Sequence, residues 1–221
     1  MLSVKQPKNV RQPKQDRSRE TLERFYAAGE RLFAIHPIDN VTVPQIAEAA
    51  SSSVGAFYKR FSDKEGFLSA FYDLFFDQIR AVAREELRPE RWEGCAAREL
   101  TDGLVQLRLA HYQKHRQLLA KLFLHVRLHN DGEFVQHAVR FGDEYTAGMA
   151  RLLAIPRPDL PRPPSSSRVR TALVIGMIAL RERIFYGRPE TRTYALEKSY
   201  AATIARMVWL ELRAAAEERN P

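Results

Sequence analysis

The sequence predicts an all-α protein of about nine helices: a small N-terminal group of three, then a larger helical body. Three observations lead there. Apolar residues recur at the 3, 4 and 7 spacing of a helix face wherever the chain is uninterrupted, no stretch sustains period-two alternation, and the breaks fall on proline, glycine and serine. A chain of 221 residues with 45% hydrophobic content has enough apolar material for one large domain, or a small one beside a larger one.

The elements follow in order. Leu22, Phe25, Tyr26, Gly29, Leu32 and Phe33 share one face of a first helix that ends before Pro37. Thr42 caps a short second helix with Val43, Ile46, Ala47 and Ala50 on one side and Pro44 in its first turn, where a missing N–H costs little. Ser51, Ser52 and Ser53 break it, and Ser53 caps a short third helix through Tyr58 and Lys59. Ser62 or Asp63 starts a long fourth helix with Phe67, Phe71, Leu74, Phe75, Ile79 and Val82 along one side, closed by Pro89. A fifth spans about Trp92 to Tyr112 and a sixth about His115 to His129; Asn130 or Asp131 then caps a seventh containing Phe134, Phe141, Tyr145 and Leu152. Residues 156–167, PRPDLPRPPSSS, have no apolar period and predict a loop. Two helices complete the chain, about Arg168 to Tyr186 and Pro189 to Glu218, separated at Gly187.

Composition narrows the function classes. The formal charge is +8, and the first nineteen residues hold Lys5, Lys8, Arg11, Lys14, Arg17 and Arg19 against Asp16 alone. Such a tail releases counterions from phosphate, or simply keeps the chain solvated, and residues 1–16 are expected as a disordered basic arm. Cys95 is the single cysteine, which excludes an internal disulfide and any multi-thiolate zinc site and fits a reducing, cytoplasmic compartment. The N-terminus lacks the apolar run of a secretory signal, and the longest apolar stretch, Ala172 to Leu180, falls short of the ~20 residues that span a bilayer. No cofactor is expected. The pairs His111 with His115 and His125 with His129 have the spacing to share a metal. Both lie near helix ends without a carboxylate pattern to complete a site, and no metal is expected.

A short helix, a serine break and a second short helix within about 20 residues form the pattern of a helix-turn-helix, whose second member fits a DNA major groove. From Thr42 to Glu65 the chain reads TVPQIAEAASSSVGAFYKRFSDKE, which resembles the TetR (tetracycline-repressor) family of transcriptional regulators in Ile46-Ala47, Gly55, Phe57-Tyr58, Phe61 and Lys64-Glu65. The likeness runs from Arg17 to about Phe71 and departs in the turn, where Ser51 and Ser52 stand for the family's glycine and apolar residue. Ser51 is expected to strain the turn and Ser52 to weaken the packing beneath it.

The resemblance implies a head over residues 17–62 and a ligand-binding and dimerisation body over 63–221. It implies phosphate contacts by Thr42, Ser53, Tyr58, Lys59 and Lys64, base-edge approach by Val54 and Gly55 beside Ala56, and a backbone or minor-groove role for Arg17. In the body it implies an effector pocket, for which Phe71, Phe75, Leu104, Leu107, His111, Tyr112, Phe123, Arg127 and Tyr145 are the candidate walls and Arg108 and Glu144 further polar contacts. The last two helices are expected to pair with a second copy through Leu173, Gly176, Met177, Leu180, Ile204 and Val208. The expected partners are double-stranded DNA, a small-molecule effector and a second identical chain; no membrane is involved. The function implied is a ligand-responsive dimeric regulator, a repressor released from a palindromic operator by its effector. A sequence-nonspecific DNA-binding or scaffolding protein is the alternative. An enzyme has less support, since neither a phosphate-cradling glycine loop nor a nucleophile motif is present.

Overall fold

The computed structural model describes the backbone of residues 12–164, 166–187 and 193–218, and the side chains of these except residues 12–19, Ser166 and Tyr194. All regular structure among the described residues is helical: α1 (Gln12–Ile35), α2 (Val43–Ala49), α3 (Val54–Tyr58), α4 (Lys64–Glu86), α5 (Ala97–Lys114), α6 (Arg116–His129), α7 (Gly132–Leu153), α8 (Ser166–Tyr186) and α9 (Tyr194–Glu217), with single 3₁₀ turns at Ile38–Asn40 and Pro89–Trp92. None of these helices is long and apolar enough to cross a membrane. The chain divides into two compact units, one ending at Phe71 and one starting at Tyr72 within α4. α1 starts at Gln12, which makes residues 12–16 helical where an arm without regular structure is expected. Pro13 is tolerated in a first turn, and the polar residues after it are good helix formers.

The first unit is built around aromatic rings. Phe25, Phe33, Phe57 and Phe67 are almost wholly buried. Phe57 meets Phe25 edge-on at 5.6 Å between centroids and lies 5.0 Å from Phe61; Phe61 meets Phe67 at 5.0 Å. Edge-to-face pairs of this kind add about 0.5–1.5 kcal/mol each to the area they bury. Gly29 leaves room for the Phe67 ring, whose Cζ would lie 2.7 Å from any Cβ at that position.

In the second unit α5 and α8 pack on α9, and α6 and α7 pack on α8. Of the stretch 156–167 expected as a loop, residues 156–164 are non-helical, Ser165 lies outside the described residues, and Ser166 and Ser167 already belong to α8; the loop is tightly held. Arg157, buried, donates from Nη1 to the carbonyls of Trp92 (2.5 Å) and Cys95 (3.1 Å) and from Nη2 to that of Leu152 (3.0 Å). Asp159 accepts from the Ala97 and Arg98 N–H groups at 2.6 and 3.0 Å, serving as the N-terminal cap of α5 from across the chain. These backbone bonds hold its pKa below the usual carboxylate value even though partial burial works the other way. Glu197 on α9, also buried, accepts from Gln113 and Arg116.

Candidate nucleic-acid interface and ligand cavity

Local capping chemistry sets the geometry of α2 and α3. The Thr42 hydroxyl accepts from the Gln45 N–H, while Gln45 Oε1 accepts from the Thr42 N–H (2.8 Å) and hydroxyl (3.0 Å), a reciprocal box that starts α2 with Pro44 in its first turn. α2 ends in a Schellman motif: the Ser51 N–H donates to Glu48 O and the Ser52 N–H to Ala47 O, both at 2.9 Å. Ser51 closes the motif at φ +48°, in the left-handed region that favours glycine. The strain read from its sequence position is therefore real. Two residues on, the Ser53 hydroxyl accepts from the Ala56 N–H at 3.0 Å and starts α3.

α3 is anchored by Phe57 and open on its other sides. Val54 is 39% and Tyr58 55% exposed; Ser53, Gly55 and Lys59 are also exposed, and Ala56 is half-buried. Thr42 is exposed at the start of α2. Six of the expected DNA-facing positions, Thr42, Ser53, Val54, Gly55, Tyr58 and Lys59, are thus exposed. Lys64 is differently engaged: its ammonium donates to the carbonyls of Ile38 (2.7 Å) and Asp39 (3.2 Å), tying the start of α4 to the turn between α1 and α2. Two of its three N–H groups brace the unit. Arg31 does the same for α2, donating to Ala49 O at 2.8 Å, a role that neither its residue type nor its position on α1 signals. The side chains of Arg17 and Lys14 lie outside the described residues.

The second unit holds a cavity of about 390 Å³, open to solvent on one side, among α4, α5, α6, α7 and α8. Of the expected wall residues, Phe75, His111, Tyr112, Phe123 and Tyr145 line it, and Arg108 with them. Four do not. Phe71 stacks on Tyr26 at 5.0 Å and meets Phe33 edge-on at 5.3 Å, one helical turn beyond Phe67 on the face of α4 that serves the first unit's core. Leu104 is fully buried in packing, Leu107 lies away from the walls, and Arg127 covers the Tyr186 ring at 4.1 Å and pairs with Glu182 at 3.5 Å. Glu144 is likewise absent from the walls, holding Arg80 at 3.1 Å. Reading the sequence missed Phe76, Met177, Ile178 and Arg181 in the walls; for the α8 residues the signal was an apolar helix surface already assigned to dimerisation.

The cavity's polar chemistry centres on Arg108. It is 3% exposed, its guanidinium carbon lies 4.1 Å from the Tyr145 ring centroid, and Nη2 is 3.7 Å from Glu86 Oε2. The Tyr145 hydroxyl donates to that same oxygen at 3.3 Å. Burial works against the guanidinium charge, but the neighbouring oxygens of Tyr145, Tyr112 and Glu86 outweigh it and raise the pKa. Burial pushes the Tyr145 hydroxyl up as well. His111 goes the other way: burial first, then the nearby Arg108, His115 and Lys114, lower it to about 3, so the ring is neutral at physiological pH.

The surface of α8 and α9 differs in detail from expectation. Leu173, Leu180, Ile204 and Val208 are buried within the protomer, and Met177 lines the cavity. Gly176, Ile204 and Val208 border a groove of about 510 Å³ on the α8–α9 surface, together with Ile175 and Met207, which are 61% and 62% exposed. The large apolar side chains exposed on this surface are therefore Ile175 and Met207, rather than the residues expected from the sequence. Because α8 is apolar nearly all round, its sequence did not distinguish that face from the inner one.

The family model for bacterial regulatory proteins of the tetR family matches residues 25–71. No curated protein matches the chain in sequence. Among solved structures, the chain resembles a TetR transcription regulator from Haloarcula marismortui with 17% identity and a TM-score of 0.61, covering 92% of this chain and 100% of that one. Salmonella enterica GusR is similar at 17% identity and TM-score 0.62, over 87% of this chain and 95% of that one. Thermus thermophilus FadR, a TetR-family transcriptional repressor solved in complex with lauroyl-CoA, is similar at 21% identity and TM-score 0.57, over 90% and 97%. At these identities the likeness is one of fold.

Proposed function

We propose that this chain, a tetR-family protein by the match over residues 25–71, is a cytoplasmic, ligand-responsive repressor that binds a palindromic operator as a homodimer. The observation that carries the reading is α3: a short helix held by Phe57 in an aromatic core, with Tyr58 and Lys59 outside. In this account Thr42, Ser53, Tyr58 and Lys59 hold phosphate oxygens. Val54 and Gly55 approach base edges and offer only apolar contacts, such as to a thymine methyl. Arg17 follows the backbone, and Lys64 acts mainly by fixing the turn before α2.

Two heads on one duplex require a second copy. The exposed Ile175 and Met207 face supplies the surface for it, and the twofold axis then sets half-sites about 34 Å apart or a multiple of that. The effector occupies the cavity beside Phe75, His111, Tyr112, Phe123 and Tyr145. α4 runs unbroken from Phe67 and Phe71, in the first unit's core, to Phe75, Phe76 and Ile79 on the cavity wall. In this account an occupant of the cavity lowers operator affinity.

The test is fluorescence anisotropy on DNA flanking the protein's own gene, across a salt series. Lys59→Ala lowers affinity and makes the log–log salt slope shallower by about 2, one phosphate contact from each protomer. A slope unchanged by this substitution overturns the assignment of α3. Equal affinity for every DNA sequence, falling in parallel with salt, supports the nonspecific DNA-binding alternative instead.

A further inference from the structure

We infer that the cavity of the second unit takes an apolar molecule ending in a carboxylate, received by Arg108. The inference rests on the reading of that cavity as the effector site and adds the chemistry of the occupant.

The walls are largely rings and aliphatic side chains, among them Phe75, Tyr112 and Phe123, so the body of the occupant is apolar. The charged wall residues are Arg108, Arg181 and an exposed Asp143, and His111 is neutral. Two guanidinium groups thus stand in the wall, while the one buried carboxylate beside them, Glu86, lies behind Arg108. Arg108 holds its one carboxylate neighbour only loosely: Glu86 stands at 3.7 Å and is shared with the Tyr145 hydroxyl. An incoming carboxylate at the cavity side of Arg108 gains a charge-assisted bond that Glu86 does not make at that distance.

An aromatic wall also suits cations, but here the rings already carry protein cations. Arg108 lies over Tyr145, Phe141 and Tyr112 at 4.1, 5.2 and 5.6 Å, and Arg181 over Phe123 at 5.3 Å. A cationic occupant meets two guanidinium groups and no buried wall carboxylate. The volume, about 390 Å³, lies within the ~300–1,000 Å³ of small-molecule sites.

The experiment is calorimetric titration of the full chain with 2-naphthoate, 2-naphthalenemethanol and 2-naphthylmethylamine, which share a body and differ in charge. Naphthoate binds at least tenfold more tightly than the alcohol, and the amine gives no measurable heat. Glu86→Gln removes the competing carboxylate and widens the preference severalfold. The double variant Arg108→Met with Glu86→Gln removes both buried charges together, avoiding an unpaired one, and erases the preference while the alcohol still binds. Met177→Trp fills the cavity and abolishes binding of acid and alcohol alike. If acid and alcohol bind equally and Met177→Trp abolishes both, the cavity reading stands and the inference is overturned. If no probe binds, or Met177→Trp changes nothing, the cavity reading fails and takes the inference with it. Should the double variant not fold, Glu86→Gln alone decides: an unchanged preference overturns the proposal.

Discussion

Ser51→Gly stabilises the protein by about 0.5–1 kcal/mol, although it removes atoms from the folded state. The serine sits at φ +48°, where an L-residue pays about 1–2 kcal/mol for the approach of its Cβ to the backbone. Glycine avoids that cost but brings greater freedom to the unfolded chain, returning about 0.5–1 kcal/mol. No hydrogen bond to the Ser51 side chain offsets the difference among the described residues, since the Schellman bonds at this turn use backbone groups alone. For a chain of this size the gain corresponds to roughly 1–4 °C in the melting temperature. The assay is thermal unfolding followed by far-ultraviolet circular dichroism, with Ser52→Gly as the control. Ser52 has no positive φ, so its replacement brings only the entropic loss and lowers the midpoint. A Ser51→Gly midpoint at or below that of the parent, or a Ser52→Gly midpoint above it, refutes the reasoning.

Gly29→Ala sets an added Cβ 2.7 Å from Phe67 Cζ and 3.3 Å from Phe71 Cδ2, inside a ring cluster with little room to yield. Overpacking at about 1–3 kcal/mol exceeds the roughly 1 kcal/mol gained in helix propensity, and urea denaturation shows a net loss. Stability falls with acid partly through His111: the unfolded chain binds its proton near pH 6.5, the folded chain only near 3, so stability contributed by the neutral ring is complete above 6.5 and declines towards 3. Urea titrations at pH 7 and pH 5 show this decline, at most about 1.4 kcal/mol per pH unit, and His111→Asn makes it shallower. Ile175→Glu places a charge on a side chain 61% exposed in the protomer. Taking about 1–2 kcal/mol of apolar burial lost per copy, sedimentation equilibrium shows the dimer weakened roughly 30- to 1,000-fold with the fold intact.

What the sequence disclosed was local. Thr42, Ser53 and Asp131 cap helices through atoms two or three residues away, and these starts were legible from residue type and position alone. The outward role of Tyr58 came from the family resemblance rather than from the residues around it; the structure exposes it beside a buried Phe57. Phe71 and Phe75 were not separable, since one residue spacing carries both along the same side of α4 while different units claim them. Arg157 and Asp159 looked like ordinary members of a proline-rich loop, and their partners lie some sixty residues earlier in the chain. On α8 the pattern ran out for the opposite reason: with apolar residues on nearly every side, periodicity marked neither the cavity face nor the exposed one.

The central claim, that α2 and α3 read a duplex in a twofold assembly, is tested most directly by hydroxyl-radical footprinting on the DNA flanking the protein's own gene. The account predicts two protected half-sites with dyad symmetry, their centres about 34 Å apart or a multiple of that, both lost together in a Tyr58→Ala, Lys59→Ala variant that still folds. A footprint that survives that variant, or a single protected site without symmetry, contradicts it.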